Sequence, residues 1–320
     1  MERRALLRLV AIFAASLRSG RLVAAAASDE QNGWAIDQSS NFKAIYGDPQ
    51  LKAAFFLFLK NVFHLYPEDR FQTLIENAAQ SKGTDRDIYR EVQRQLKSIK
   101  PFFGDVTYAL PALRTQKAEM TRQTLELLGG TKKIDGYMEV GTTGRYLSTL
   151  RSSLDVKGDV VLVHTSGPSF APGDIIERGG LLKVGRFVSM RGYAPVAAAA
   201  VRDESLDLVT NFIGFHHAPL DRLEPFARSF HRVLRKGGRM IVRDHEVNSP
   251  AMNRMVALAH DVFNLGLKTD WAINQQEIRY FTSIAQLVTF LERIGFKPDG
   301  RTLFQDGDPT KNALMVFAKA

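Results

Sequence analysis

The sequence predicts an α/β domain over residues 133–320 that follows a helical cap over residues 29–132. Three observations predict this arrangement. From Ile134 onward, short apolar runs alternate with helical segments, which favours βαβ units and a parallel sheet. Residues 41–130 carry helical periodicity and no strand pattern. A glycine turn joins the first apolar run to the start of a helix, which is where sheets of this kind bind nucleotide-like ligands.

The cap is expected to contain four helices, each with a recognisable beginning or end. The predicted helices are 51–65, which Tyr66-Pro67 ends; one that Asp69 caps; one that Thr84 and Asp85 begin and Pro101 ends; and one from about Pro111 to Leu128. Gly129 and Gly130 end the last helix, as glycine commonly does. The first helix is apolar over most of its surface, and such a helix is buried or covers a groove.

Seven strands and five helices are expected in the α/β domain. The predicted strands are 136–140, 159–164, 186–190, 206–212, 238–243, 300–305 and 313–318. The predicted helices are 144–152, 172–179, 220–235, 250–265 and 283–294. Because crossovers between parallel strands are right-handed, a ligand is expected at the carboxyl ends of the strands.

The composition is that of an ordinary globular protein without cysteine chemistry. The 320 residues include no cysteine, which excludes disulfides, thiolate metal sites and cysteine nucleophiles. The formal net charge is +9, of which +4 falls in residues 1–28 and +5 in the rest. This mild, dispersed excess does not indicate a nucleic-acid partner, because such binding needs a clustered basic face with stacking aromatics.

Residues 1–28 have the order of a secretory signal, with Arg3 and Arg4 first, an apolar stretch next and small residues at Ala24–Ala27. The Arg-Arg-x-Leu-Leu-Arg pattern resembles twin-arginine signals, which export folded proteins. We therefore expect an exported, periplasmic protein with no stable membrane span after leader removal, since no later apolar run approaches about 18 residues. An organellar transit peptide or a plain basic tail is the alternative, and with it an organellar or cytoplasmic location.

The most informative segment is Glu139-Val-Gly-Thr-Thr-Gly144. Glu139 ends a predicted strand, where a carboxylate can accept hydrogen bonds from the amine or hydroxyl groups of a ligand. Gly141 and Gly144 can adopt positive φ or let a ligand approach the backbone closely. Taken alone, this pattern indicates a cofactor site of unknown kind.

Two further segments make the sequence resemble a known family. Asp203–His217 has the form of a strand with a following loop, and Phe230–Val242 contains Arg-Val-Leu-Arg-Lys-Gly-Gly before a strand. With these segments, residues 134–320 resemble the class I S-adenosylmethionine-dependent methyltransferases. The resemblance implies a Rossmann-like sheet of seven strands with the last one antiparallel, and S-adenosyl-L-methionine as cofactor. It also implies a set of cofactor-binding residues at the strand ends: Glu139, Gly141, Thr142, Thr143, Gly144, His164, Thr165, Asn211 and Gly214.

The sequence departs from the family pattern at two places. The first motif is one residue short of the usual pattern, or has Thr143 in place of its middle glycine. The second strand ends in His164 and Thr165, where the family has an acid that binds both ribose hydroxyls. These departures leave a second interpretation open, that of a non-catalytic binding or interaction protein with a degenerate cofactor site.

The candidate catalytic residues follow the fourth and fifth strands. They are His217, Asp244 and His245. In the resembling family these loops border the methyl-transfer site, so a histidine there can act as general base while Asp244 orients it. The expected reaction is methyl transfer to an oxygen or nitrogen of a small molecule, over which the phenylalanine-rich cap would close.

No metal site is expected from the sequence. Adjacent residues such as His216 and His217 usually point apart, and no helix carries a His-x-x-x-His pair. A metal needs three or four convergent ligands. Neither the acceptor molecule nor the oligomeric state follows from the sequence.

Overall fold

The computed structural model describes residues 40–100 and 108–320. The predicted leader at 1–28, the beginning of the predicted cap at 29–39 and Pro101 lie outside the described residues. Within the two described stretches, no helix has both the length and the hydropathy that crossing a membrane requires.

The N-terminal part of the described chain is helical. The helices are α1 (Asn41–Tyr46), α2 (Pro49–Phe58), α3 (Glu68–Ser81), α4 (Asp85–Ile99) and α5 (Leu110–Leu127), with a π-helical turn at Leu59–Phe63 directly after α2. The four predicted helices are confirmed. The short helix α1 is an addition that the periodicity did not reveal.

Two predicted helix starts have different outcomes. Thr84 caps α4 as expected, because its hydroxyl accepts a hydrogen bond from Asp87 N at 3.2 Å. The prediction that Asp69 caps α3 is wrong, since α3 begins at Glu68 and Pro67 occupies the cap position without a side-chain hydrogen bond. Asp69 lies in the first turn of α3 instead, where its charge is favoured by the helix dipole.

The C-terminal part of the chain alternates strands and helices. Its elements are β1 (Lys133–Val140), α6 (Leu147–Leu150), β2 (Asp155–His164), α7 (Pro172–Arg178), β3 (Arg186–Ser189), β4 (Leu206–Asn211), α8 (Leu220–Val233), β5 (Leu234–His245), α9 (Pro250–Gly266), α10 (Trp271–Asn274), α11 (Ile284–Arg293), β6 (Phe296–Phe304) and β7 (Asn312–Lys319). All seven predicted strands and all five predicted helices are found, and α10 is additional.

The strands form one sheet in the order β3-β2-β1-β4-β5-β7-β6. The pairs among β1 to β5 are parallel, whereas β7 runs antiparallel between β5 and β6. This is the predicted Rossmann-like sheet with its antiparallel last strand. The strand order reverses between β1 and β4, and ligands of such sheets bind at that switch point, outside the carboxyl ends of the strands.

The cap and the sheet are joined because a helix of the N-terminal part packs on the sheet and a helix of the C-terminal part packs in the core of the cap. On the sheet, Met120 and Leu127 of α5 pack with Tyr137 and Val316, so the last helix before β1 covers the sheet. In the cap, α1 to α4 share a core with α9. The ring centroid of Phe263 on α9 lies within 5.6 Å of the rings of two cap phenylalanines. The predicted boundary at residue 132 is therefore crossed by packing in both directions.

The π-helical turn brings the cap over the end of the sheet. It ends at His64, which adopts φ +46° in the left-handed region. Within the turn, Asn61 donates a side-chain hydrogen bond of 2.8 Å to Gly307 O, in the connection between β6 and β7. Single π-turns in helices are frequent at functional sites.

Candidate active site

The turn after β1 requires glycine at two positions. Gly141 and Gly144 have φ of +89° and +98°, which other residues rarely adopt. A Cβ on Gly141 would lie 2.2 Å from Ile213 Cγ2, and one on Gly144 would lie 2.4 Å from Val184 Cγ2. The glycines are therefore needed for the packing of the turn itself, before any ligand is considered.

Glu139 holds this turn through hydrogen bonds from its backbone and side chains. Its fully buried carboxylate accepts hydrogen bonds from Tyr146 N at 3.2 Å and Leu147 N at 3.1 Å, where α6 begins. It also accepts from the hydroxyls of Tyr137, at 3.0 Å, and Thr142. Burial raises the pKa of Glu139 and these hydrogen bonds oppose the rise. Both oxygens of the carboxylate are thus used by the chain's own groups.

Unpaired polar atoms surround the switch point. Thr143 Oγ1, His164 Nε2 and both amide atoms of Asn211 are buried with no hydrogen-bond partner in the described part of the chain. These residues follow or end β1, β2 and β4. Buried polar side-chain atoms normally have a partner, so such a group needs an explanation. Since the atoms converge on one end of adjacent strands, they mark a site for a polar ligand.

The other predicted cofactor residues border the same region. Thr165 follows His164 and is half-buried. Gly214 has φ +78°, and a Cβ there would lie 2.6 Å from the His216 ring. Nδ1 of His164 is hydrogen-bonded to Ser166 O at 3.0 Å, and burial lowers the pKa of His164.

A buried ion pair supports the helix that follows the glycine turn. The guanidinium of Arg145 bonds to the carboxylate of Glu177 on α7, and both side chains are buried. Beside them, Lys117 Nζ donates to Glu177 O at 2.9 Å and to Ser148 Oγ at 3.1 Å. Burial lowers the pKa of Lys117. The pair therefore ties the turn after β1 to the helix after β2.

A cavity of about 250 Å³ lies between the cap and the carboxyl ends of β4 and β5. Phenylalanines from both cores form its apolar wall: Phe58, Phe63, Phe212 and Phe263. Its polar wall carries Arg145, Arg243 and five histidines. Small-molecule sites have this combination of apolar walls and a few placed polar groups, in volumes of roughly 300–1,000 Å³. The cavity is thus at the small end of that range and adjoins the glycine turn through Arg145.

Four histidines meet on the polar wall: His216, His217, His245 and His260. The ring of His216 is the centre, with the other three ring centroids between 4.2 and 5.6 Å from it. The expectation that adjacent histidines point apart is wrong here. His216 and His217 lie in the loop after β4, where Gly214 has positive φ, so the strand alternation of side chains no longer applies.

Asp244 anchors this cluster through His216. One carboxylate oxygen lies 2.6 Å from His216 Nδ1, and the other accepts from Phe215 N at 3.0 Å. Although burial acts to raise it, the contact with His216 lowers the pKa of Asp244 to about 2. The orienting role expected of Asp244 is therefore exerted on His216, while the backbone N–H of His245 donates to the same carboxylate at 2.9 Å.

The other three rings are each held at Nδ1 by a backbone carbonyl. The partners are Ile278 O for His217 at 3.1 Å, Thr310 O for His245 at 3.0 Å and Val256 O for His260 at 2.9 Å. Burial, with the charge of His216 as the next cause, lowers the pKa of His217 to about 4 and that of His245 to about 3. Burial and Arg279 lower the pKa of His260 as well. Each of these shifts favours the neutral form of the imidazole.

A buried network behind the cluster fixes the segment that contacts His217. Arg279 donates to Asp261 at 2.8 Å, to Asn274 at 2.9 Å and to Glu277 at 2.6 Å. Glu277 Oε1 lies 3.7 Å from His217 Nδ1. The network links α9, α10 and the chain after α10, and so holds Ile278 O in place.

Part of this arrangement matches a known family of domains. A family model described as a methyltransferase domain matches residues 186–242, from β3 to near the end of β5. The matched segment contains Asn211, Gly214 and His217, and it lies in a sheet of the class I order. Residues 186–242 therefore match a methyltransferase domain, and the sheet around them has the class I methyltransferase fold.

Three solved structures are similar to this chain. The 1,6-didemethyltoxoflavin-N1-methyltransferase of Burkholderia thailandensis, solved with 1,6-didemethyltoxoflavin and S-adenosylhomocysteine, is 17% identical, with 65% of this chain and 81% of that chain covered and a TM-score of 0.43. A possible exported protein of Bordetella parapertussis is 16% identical, with 87% and 95% covered and a TM-score of 0.42. The N-methyltransferase NodS of Bradyrhizobium japonicum, solved with S-adenosylhomocysteine, is 11% identical, with 64% and 86% covered and a TM-score of 0.40. No curated protein matches the sequence at a significant level.

The structure adds residues to the candidate site that sequence reasoning missed. His216 is the partner of Asp244, and the adjacent pair of histidines was a visible signal for it. His260 joins from α9, with its Nε2 3.3 Å from His216 Nε2. No local motif predicts that His260 belongs to the site, because its position depends on how α9 packs between the cap and the sheet.

Proposed function

We propose that the protein transfers the methyl group of S-adenosyl-L-methionine to an oxygen or nitrogen of a small molecule bound in the cavity. The observation that carries the proposal is the set of unpaired buried atoms at the switch point, on Thr143, His164 and Asn211. They lie beside a glycine turn in a methyltransferase-type sheet. The cavity under the cap adjoins them through Arg145 and Phe212.

The unpaired atoms fit the polar groups of this cofactor. A ribose carries hydroxyls, which donate and accept, and the amino-acid end carries an ammonium and a carboxylate. The Asn211 amide offers both a donor and an acceptor, and Thr143 a hydroxyl. His164 Nε2 can bond one ribose hydroxyl in either tautomer, in place of the usual acid. Since a carboxylate would bond both hydroxyls with charge assistance, this exchange weakens binding by about 1–3 kcal/mol.

Bound at these residues, the cofactor supplies an electrophilic methyl group on a sulfonium. The chain's contribution is then mainly positioning of the two substrates, which can lower the barrier by several kcal/mol. The phenylalanines of the cap and α9 exclude water from the acceptor. The cavity volume of about 250 Å³ limits the acceptor to a small molecule.

We assign to His245 the role of base, which takes up the proton that the methylated molecule loses. Its Nδ1 is held by Thr310 O, and its Nε2 has a long contact of 3.4 Å with the Asn312 amide. The depressed pKa keeps this ring unprotonated at neutral pH but makes it a weak base, so it takes up the proton only as methyl transfer makes the O–H or N–H of the methyl acceptor strongly acidic. The neighbouring Asp244 carboxylate favours the charged ring and acts against that depression. His217, the other base candidate, is assigned a different role below.

Titration of the full-length protein with S-adenosyl-L-methionine by isothermal calorimetry tests the cofactor site. We expect binding to the wild type, and an Asn211→Ala variant that binds about 10- to 100-fold more weakly because it loses both amide bonds. Asn77→Ala is the matched control, since Asn77 is exposed on α3. Its affinity should equal that of the wild type.

The outcomes separate the enzyme from the alternative. A folded wild type that binds no cofactor at millimolar concentration is a binding protein on a methyltransferase fold, as the absent acid after β2 also permits. Equal affinity of wild type and Asn211→Ala would place the cofactor elsewhere. A Gly141 variant would not discriminate, because a Cβ there meets Ile213 at 2.2 Å and disturbs the turn without any ligand.

A further inference from the structure

We infer that His216, His217 and His260 form a binding site for a divalent transition-metal ion of the zinc type on the polar wall of the cavity. One ring nitrogen from each histidine lies within 4.8 Å of those of the other two. The three residues come from the loop after β4 and from α9, two segments that the fold brings together. All three line the cavity.

The closest pair already has the spacing that a tetrahedral ion requires. Zinc binds histidine nitrogen at about 2.0–2.1 Å, so two ligands of a tetrahedron stand about 3.3–3.4 Å apart. His216 Nε2 and His260 Nε2 are 3.3 Å apart. The ring nitrogen of His217 lies within 4.8 Å of those of the other two histidines. It therefore has to approach them by about 1.5 Å at most to reach the spacing of a tetrahedral site.

The hydrogen bonds at the opposite ring nitrogens direct lone pairs toward this point. Each Nδ1 faces an oxygen acceptor, namely Asp244 for His216, Ile278 O for His217 and Val256 O for His260. A ring that donates from Nδ1 has its lone pair on Nε2 in the neutral form. At 3.3 Å, these two nitrogens are held together either by a proton or by a metal ion that lies between them.

The surroundings have the form of a metal site with an open position. Histidine ligands in proteins usually donate their other N–H to a carboxylate or carbonyl, which is the pattern found here. Three imidazoles without a carboxylate suit zinc, copper, nickel or iron better than magnesium or calcium. Three protein ligands with a cavity beside them leave a fourth position for water or substrate, as in catalytic zinc sites.

One consequence rests on the proposed function. If a hydroxyl acceptor binds at the open position, the bound dication would make its proton easier to remove and leave a lone pair on the oxygen, whereas an amine bound there would have its only lone pair engaged by the metal. The site would therefore select hydroxyl acceptors over amines, and His245, which lies outside the three ligands, remains to take the proton. The metal site itself does not depend on methyl transfer.

Metal binding is tested on the full chain without a histidine tag, after treatment with a chelator. We expect calorimetric titration with Zn²⁺ to show one equivalent bound, and Co²⁺ to give the intense visible absorption of a four-coordinate ion. His217→Gln and His260→Gln should each weaken Zn²⁺ binding by more than about 100-fold, and Asp244→Asn by about 10- to 100-fold. The chain has no cysteine that could supply a competing thiolate site.

His64→Asn is the matched control, because His64 lines the same cavity and lies outside the group of three. Asparagine tolerates its left-handed backbone, so this variant should fold and keep wild-type Zn²⁺ affinity. Circular dichroism checks the fold of every variant. The Co²⁺ spectrum needs no variant and decides the case if a substitution prevents folding.

The inference is overturned if the wild type takes up no equivalent of Zn²⁺ or Co²⁺, or if both glutamine variants retain wild-type affinity. In either case a proton, and not a metal ion, lies between His216 and His260. Titration of the chelator-treated protein with S-adenosyl-L-methionine is a separate measurement. If no cofactor binds, the proposed function is wrong and the metal result is unaffected. If no metal binds, the metal site is wrong and the proposed function is unaffected.

Discussion

Glu177→Ala should lower the free energy of unfolding by about 3–5 kcal/mol, because it leaves the buried Arg145 guanidinium without its carboxylate. Denaturant unfolding followed by circular dichroism measures the loss. The exposed pair formed by Arg228 and Glu224 provides the control. Glu224→Ala should cost less than about 1 kcal/mol, since solvent screens that pair.

A double variant separates loss of the pair from loss of packing. Combining Arg145→Met with Glu177→Leu removes both charges and keeps apolar volume, so it should be more stable than Glu177→Ala. A Glu177→Ala protein as stable as the wild type would show that the guanidinium reaches solvent. It would also remove the argument that this pair holds the glycine turn against α7.

His245→Gln should lower the turnover number by about 10²- to 10⁴-fold, the usual contribution of a general base. Glutamine keeps approximate size but cannot take up a proton. The rate is measured as transfer of label from methyl-labelled S-adenosyl-L-methionine to a pool of small phenols, alcohols, carboxylates and amines. Cofactor affinity by calorimetry should stay at the wild-type value, because His245 is not among the residues assigned to the cofactor.

His231→Gln serves as the control for this prediction, since His231 lies on α8 and does not line the cavity. It should methylate the same compounds at the wild-type rate. If His245→Gln also did so, proton acceptance would belong to another group or to water. A loss of cofactor binding in His245→Gln would instead show that the residue shapes the fold of the site.

The sheet could be predicted because its causes are local. Each buried strand is a short apolar run, and the helices between strands repeat at 3.6 residues, so bounds such as 159–164 and 250–265 lie close to Asp155–His164 and Pro250–Gly266. Thr84 was predictable for the same reason, since a cap needs only its own turn. Asp69 was not, because Pro67 allows the helix to begin a residue sooner.

The cluster of histidines could be predicted only in part. His217 follows β4 and His245 ends β5, and parallel strands bring their carboxyl ends together, so their proximity was expected. His260 lies in a helix whose amphipathic pattern does not say which core it joins. Its place beside His216 comes from packing of α9 against Phe58 and Phe63 of the cap, which is a long-range outcome. The same holds for α5, which follows the cap in sequence and packs on the sheet.

The shared core of α1 to α4 and α9 decides which parts of the molecule open together. Amide hydrogens of helices in one core exchange with solvent in a common cooperative opening. We therefore expect the amides of α9 to exchange at the rate of α3 and α4, and more rapidly than those of β5, which precedes α9 in the chain. Opening of that unit would withdraw His260 from His216, so a ligand seated between them should slow exchange throughout the cap.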